Sequence, residues 1–341
     1  MFHSWLFFLL EERDGEVGLV MGRVRRASEE LGWRETLDRL GIEVESRYDS
    51  TAATTVPSPP ASIDTHTHEA KDHTEIIDLY EQIFGSFYSN PLRIPPGTIN
   101  TTLLFSEFIT QIALDLGCIH LISAQLGTAL QAHRQALFVA IKNDPARWLK
   151  LALHLENEPI YTEALVHIIG AHPCWPCFTK RTVLPEEITK LVASQAEKLE
   201  QAVTEAEREL LLLTIQVHNG SVQPQESSEF DTWFIVQTFR DQLARDFHAL
   251  DTSKTRTLKR GLMIRQIKAG GSTYMPYEEM RRLMGMIMPS AVANLEEDLG
   301  LLKKYASEIV GDLARNGLCL DVERNGVGYL TCVEVGRGDV P

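Results

Sequence analysis

Residues 143–170 read NDPARWLKLALHLENEPIYTEALVHIIG, and the punctuation of this stretch decides the fold. Asn143-Asp144 offers a capping side chain and Pro145 the fixed φ of a first helical position, so a helix is expected to carry Trp148, Leu149, Leu151, Ala152 and Leu155. Glu158-Pro159 repeats the device, and Gly170 is the expected stop. Connections this short make neighbouring helices antiparallel.

Working outward, the same grammar recurs. Thr74 can cap a helix in which Ile76, Ile77, Tyr80, Ile83, Phe84 and Phe87 return at three and four residues, and Asn90-Pro91 ends it. Thr98 starts a second, with Leu103, Leu104, Phe108, Ile109, Ile112 and Leu116 inward and Gly117 at its end. A third is expected from about Leu121 to Lys142. Pro185-Glu186-Glu187 opens a long helix with Val192, Leu199, Val203, Ala206, Leu210 and Leu213 at heptad-like spacing, read as packing on its own domain. Later helices are expected from Asp231, Pro276 and Pro289, finishing at Asn316-Gly317. Then Leu318–Glu323 and Val327–Val335 flank Asn325-Gly326, a hairpin signal. Before all this lie a modest helical pattern in 17–45 and a Ser/Thr/Ala/Pro-rich stretch from Asp49 to Ser62.

The expected organisation is an N-terminal segment 1–48, a linker 49–73, a helical region 74–217, a linker 218–229 and a helical domain 230–341 ending in a β-hairpin. The fold class is mainly α, a helical bundle of two packed blocks. Helices followed by a hairpin also match the order of a winged-helix module, although Glu296, Glu297, Asp298, Glu308 and Asp312 crowd the helix that would meet phosphate.

With 341 residues, 44% apolar and 23% charged, the chain is long and apolar enough to bury a core. Lys+Arg number 33 against 47 Asp+Glu, a net charge of −14, which argues against general binding of nucleic acid or anionic membrane. Five cysteines are odd in number and too few for a disulfide scaffold, as suits a reducing compartment. Trp5–Leu10 is a short apolar run cut off by Glu11, Glu12 and Arg13, without the marks of a secretion signal or a membrane span. The expectation is a soluble, intracellular protein of cytoplasm or nucleus.

Three clusters invite a chemical reading. Asp64-Thr65-His66-Thr67-His68 resembles the metal-binding strand end of amidohydrolase barrels, where histidines two apart on a strand face one ion. The Pro- and Ser-rich residues before it do not read as a buried strand, so a polar loop is preferred, with metal-dependent hydrolysis as the rival. Cys174-Trp175-Pro176-Cys177 resembles a thioredoxin-like Cys-x-x-Cys, but no βαβ unit surrounds it and loop packing is preferred. Lys254, Arg256, Lys259, Arg260, Arg265 and Lys268 form a basic run whose acidic neighbours Asp246, Asp251, Glu278 and Glu279 favour a salt-bridged helix face over a DNA contact. Isolated histidines such as His154 and His167 read as core or boundary residues. No catalytic residue, metal ligand or cofactor is assigned.

LYEQIFGSFYSNPLRI (79–94), with LLFSEFITQIALDLGCIHLISAQLGTAL (103–130) and DPARWLKLALHLENEPIYTEALVHIIG (144–170), resembles the middle of fungal BTB/POZ-domain proteins with a helical extension. The strand pair and first helix that open that domain have no match in residues 1–70. The resemblance implies a non-enzymatic protein-interaction module, an adaptor or scaffold with a protein partner and a possible homo-oligomer. Tyr80, Phe84, Phe87 and Tyr88 are its candidate contact residues, although ordinary core packing is the preferred reading for them because they share one helical stripe.

Overall fold

The computed structural model describes residues 10–13, 16–19, 65–217 and 220–336, with 10–13, 16–19 and 65–75 as backbone only. The fold is mainly α. Strands β1 (Leu10–Arg13) and β2 (Glu16–Leu19) form a small antiparallel pair, so 16–19 are extended and not part of the helix expected in 17–45, the remainder of which lies outside the described residues. Helix α1 (Thr65–Ser86) begins before the expected Thr74 start, so 65–73 are helical and not linker.

The contacts group the chain into two compact units: residues 1–134 with 153–157 and 178–183, and residues 135–152, 158–177 and 184–341. In the first, α1 packs on α2 (Ile99–Asp115), and α2 on α3 (Ser123–Gln131). The Thr98 hydroxyl caps α2 by accepting from the Thr101 N–H, and Gly117 leaves the helix at φ +67°. The expected third helix is in fact broken. After a 3-10 turn at Ile119–Leu121, α3 stops at Gln131, Arg134 takes φ +49°, and α4 (Gln135–Asn143) starts afresh. No Gly or Pro marks this break; at it the His133 ring is held by the Thr102 hydroxyl of α2 at 2.9 Å, a tertiary contact.

The second unit contains α4, most of α5 (Pro145–Leu155), α6 (Glu158–Ala171), α7 (Glu186–Leu212), α8 (Phe230–Asp251), α9 (Arg256–Ala269), α10 (Tyr277–Ile287) and α11 (Leu295–Ile309). Its main core joins Val203 and Leu210 of α7 to Phe239, Leu243, Ile264, Met284, Leu295 and Leu302. Thus α7, grouped by the sequence reading with residues 74–217, shares its core with 230–313. Apolar on nearly every side, α6 is buried all round from Ile160 to Ala171 except at Thr162. A two-residue ladder, β3 (Gln216–Val217) with β4 (Gly220–Ser221), lies where the second linker was expected to begin.

The β-hairpin expected over 318–335 does not form as a ladder. The chain does reverse there: the Asp321 carboxylate accepts the N–H groups of Glu323 and Arg324, Gly326 adopts φ +61°, and the Val327 N–H reaches the Val322 carbonyl at 2.9 Å. Beyond that turn the two arms share one further backbone bond, from the Gly317 N–H to the Thr331 carbonyl at 2.8 Å, and are otherwise held by helices. Leu320, Val322, Val327 and Tyr329 form a second core with Val166 and Ala171 of α6. With no strand pair, the winged arrangement is absent from the described residues.

Candidate functional site

Helix α1 divides its apolar residues between two faces. Leu79, Gln82, Ile83 and Ser86 are buried. Ile77, Tyr80 and Phe84 fall on the other side of the helix at the four- and three-residue steps of a helical stripe, and the stripe continues past the helix end through Phe87 and Tyr88. Ile77 is 44% exposed, Phe84 39%, Phe87 57% and Tyr88 71%, while Tyr80 is half-buried. The Phe84 and Phe87 rings stack with centroids 6.4 Å apart. So the four residues singled out from the sequence are brought together, and the core packing preferred for them holds only for Tyr80 in part. Burial raises the Tyr80 pKa, with the Asp115 charge adding to it. Along one edge of the stripe, Arg93 reaches Asp78 at 2.6 Å and Glu81 at 4.0 Å, and its N–H donates to the Gln82 side chain, pinning segment 90–95 against α1.

The other clusters resolve differently. Residues 65–68 lie on a helix, where positions 66 and 68 stand roughly 200° apart around the axis, so the strand geometry that brings two such histidines to one ion is not present; Asp64 lies outside the described residues. Among the described residues no three His, Cys, Asp or Glu side chains gather as metal ligands do. Cys177 is surrounded so that burial pushes its thiol up to about 12, opposite to the shift a redox nucleophile needs. The Cys174 thiol donates to the Lys254 carbonyl, and all five cysteines are free thiols.

Arg256, Arg260, Arg265 and Lys268 of the basic run find intramolecular partners, mostly not those expected. The side chain of Arg260 is 7% exposed and meets Glu200 of α7 at 2.5 Å; Arg256 meets the same carboxylate at 3.1 Å and Asp251 at 3.4 Å. Hydrogen bonding from Arg260 holds the Glu200 pKa below the usual carboxylate range. Asp246 instead accepts from the Tyr274 hydroxyl.

A polar centre that the sequence reading does not name lies beneath the 317–335 segment. Glu163, 3% exposed, accepts the backbone N–H of Cys319 at 2.8 Å and of Leu320 at 3.1 Å. One turn on, His167 Nδ1 shares a 2.6 Å hydrogen bond with the Tyr329 hydroxyl, while its Nε2 makes none and stands 4.0 Å from Glu163. Arg265 donates to the carbonyls of Val327 and Tyr329, Lys142 to that of Asn325, and the Leu262 N–H to that of Gly328. These bonds do for the segment's backbone what a ladder would have done. Burial depresses the His167 pKa to about 3 and raises those of Glu163 and Tyr329, so the neutral imidazole and phenol are the stable forms. With His167 at 1% and Tyr329 at 8% exposure, the group is closed to a substrate and acts as a fastening.

No helix of the described residues is long and apolar enough to cross a membrane. Comparison of the chain with family models, curated proteins and solved structures finds no match in any of the three.

Proposed function

We propose that this chain is a non-enzymatic protein-interaction module, an adaptor or scaffold, and that the outer face of α1 is its contact surface. One observation carries the reading: α1 already satisfies the core through Leu79 and Ile83, yet α1 and the turn that follows it present Ile77, Phe84, Phe87 and Tyr88 to solvent in one stripe. Aromatic side chains grouped at a surface supply large contact area at little entropic cost and dominate binding energy where a partner buries them. The resemblance of residues 79–94 to BTB/POZ proteins points to the same kind of role. The buried polar residues elsewhere are spent on fastening the fold, which fits a scaffold.

The test is a photo-crosslinking amino acid placed at Tyr88 of the full chain in its native cells, with adducts identified by mass spectrometry. A discrete protein adduct that disappears when Phe84→Ser and Phe87→Ser are added is expected. No adduct, or adducts indifferent to those two substitutions, overturns the proposal.

A further inference from the structure

Resting on that reading, the charges beside the stripe say what kind of partner it takes. Around a helix of 3.6 residues per turn, Glu81 sits about 40° from Ile77 and Asp78 about 100°; both side chains are at least half exposed. Asp115, exposed at the C-terminal end of α2, the helix that packs on α1, adds a third carboxylate, and Leu116 beside it is 39% exposed. Among the described side chains, Arg93 is the cation seen to engage the α1 edge, paired with Asp78 and Glu81. The apolar strip is therefore bordered by carboxylates along its Glu81/Asp78 edge, with Asp115 at the end of the neighbouring helix, in a chain whose net charge is −14. An acidic or uncharged apolar segment would bring no partner for those carboxylates, and an acidic one would meet repulsion as it desolvates the aromatics. A segment with Lys or Arg flanking its apolar residues meets the rings with its apolar side and the carboxylates with its cations, whose long stems add apolar contact of their own.

We infer that the α1 face binds a protein segment of cationic amphipathic character, apolar residues flanked by Lys or Arg, through the juxtaposition of Phe84 and Phe87 with Glu81, Asp78 and Asp115.

The experiment selects peptides from a random-sequence display library on the full chain and measures the winners by fluorescence anisotropy at two salt concentrations. Lys and Arg are expected to be enriched beside aromatic or aliphatic residues. Affinity should fall about 30-fold with Phe84→Ser/Phe87→Ser, the loss of buried aromatic anchors, and about 5-fold with Glu81→Gln/Asp115→Asn, the loss of two rim charges. It should also weaken as salt rises. Peptides that depend on Phe84 and Phe87 but carry no basic bias overturn this inference and leave the contact surface standing. So does a wild-type dimer, seen by sedimentation, that Phe84→Ser/Phe87→Ser dissociates, since a second copy of the chain is then the occupant. Neither peptides nor a dimer depending on the two rings overturns the inference together with the contact surface itself.

Discussion

Replacing Gly261 by alanine sets two physical effects against each other with opposite signs. In the interior of α9, alanine is the better helix former by about 1 kcal/mol, so propensity alone makes Gly261→Ala stabilising. The structure says otherwise. A Cβ at residue 261 falls well inside van der Waals contact with the Tyr329 carbonyl and 2.7 Å from the Leu330 nitrogen, all of it backbone and none of it the free end of a side chain. The 328–331 segment must then retreat by about 1 Å. Overpacking of this kind costs ~1–3 kcal/mol, at the upper end where backbone has to move. The retreat also stretches the bond from the Leu262 N–H to the Gly328 carbonyl and the grip of Arg265, worth about 1 kcal/mol together. Set against the gain in propensity, the net effect is a loss of about 3 kcal/mol. Gly300, inside α11 with nothing within 4 Å of a Cβ, supplies the control: Gly300→Ala gains about 0.5–1 kcal/mol. Urea unfolding followed by circular dichroism compares the two, and hydrogen exchange at the Gly317 and Val327 amides locates the loss. If Gly261→Ala proves as stable as Gly300→Ala, the segment does not lie against α9 as described and the reasoning fails.

Three further outcomes follow from the same contacts. His167, neutral in the fold with a pKa near 3 against ~6.5 when unfolded, resists a proton that the unfolded chain accepts, so stability falls as pH drops through that window; His167→Gln is expected to be less stable near neutrality, by a deficit that shrinks towards about pH 4, as pH-dependent urea midpoints will show. Glu200→Ala leaves the buried guanidinium of Arg260 with only Glu207, 3.9 Å away. Because Glu200 is 41% exposed, the cost is about 1–2 kcal/mol by denaturant titration, and no change would mean the pair is only geometric. Cys177, its thiol held near 12, should escape iodoacetamide at about pH 8 in the native protein and react once unfolded, as peptide mass spectrometry reports.

The helices were legible where their signals are local. Thr98 and the prolines at 145, 185 and 276 stand at helix starts because a cap or a fixed φ needs no distant partner. What distant residues decide was not legible. The break at 132–134 coincides with the bond between His133 and Thr102, and Gly170, one residue before the end of α6, is also the place where the Leu330 backbone passes too close for a side chain. The Asn325-Gly326 turn forms as its sequence indicates; its arms do not build a ladder, and α6 and α9 offer them instead a carboxylate, a guanidinium and two glycines. One sign of this was present: Glu163 and His167, a turn apart in an otherwise apolar run, are polar groups a buried helix keeps only with partners. On α1, periodicity identified the apolar residues, yet their division into an inner and an outer face depends on which side α2 occupies.

Fastening α6 to a segment so far along the chain sets the order in which the protein can be completed. Glu163 waits for residues 156 and 157 positions later, and His167 for one 162 positions later. At ribosomal speeds of ~5–20 residues per second, roughly 10–30 s separate the synthesis of the two sides. Throughout that interval the carboxylate, the imidazole and the flank of α6 that the 318–331 segment covers lack that native cover, so the nascent chain carries this apolar helix unsealed on that side until residue 331 has emerged. A stop codon anywhere in 317–331 would therefore leave a half-closed second unit for quality control to find.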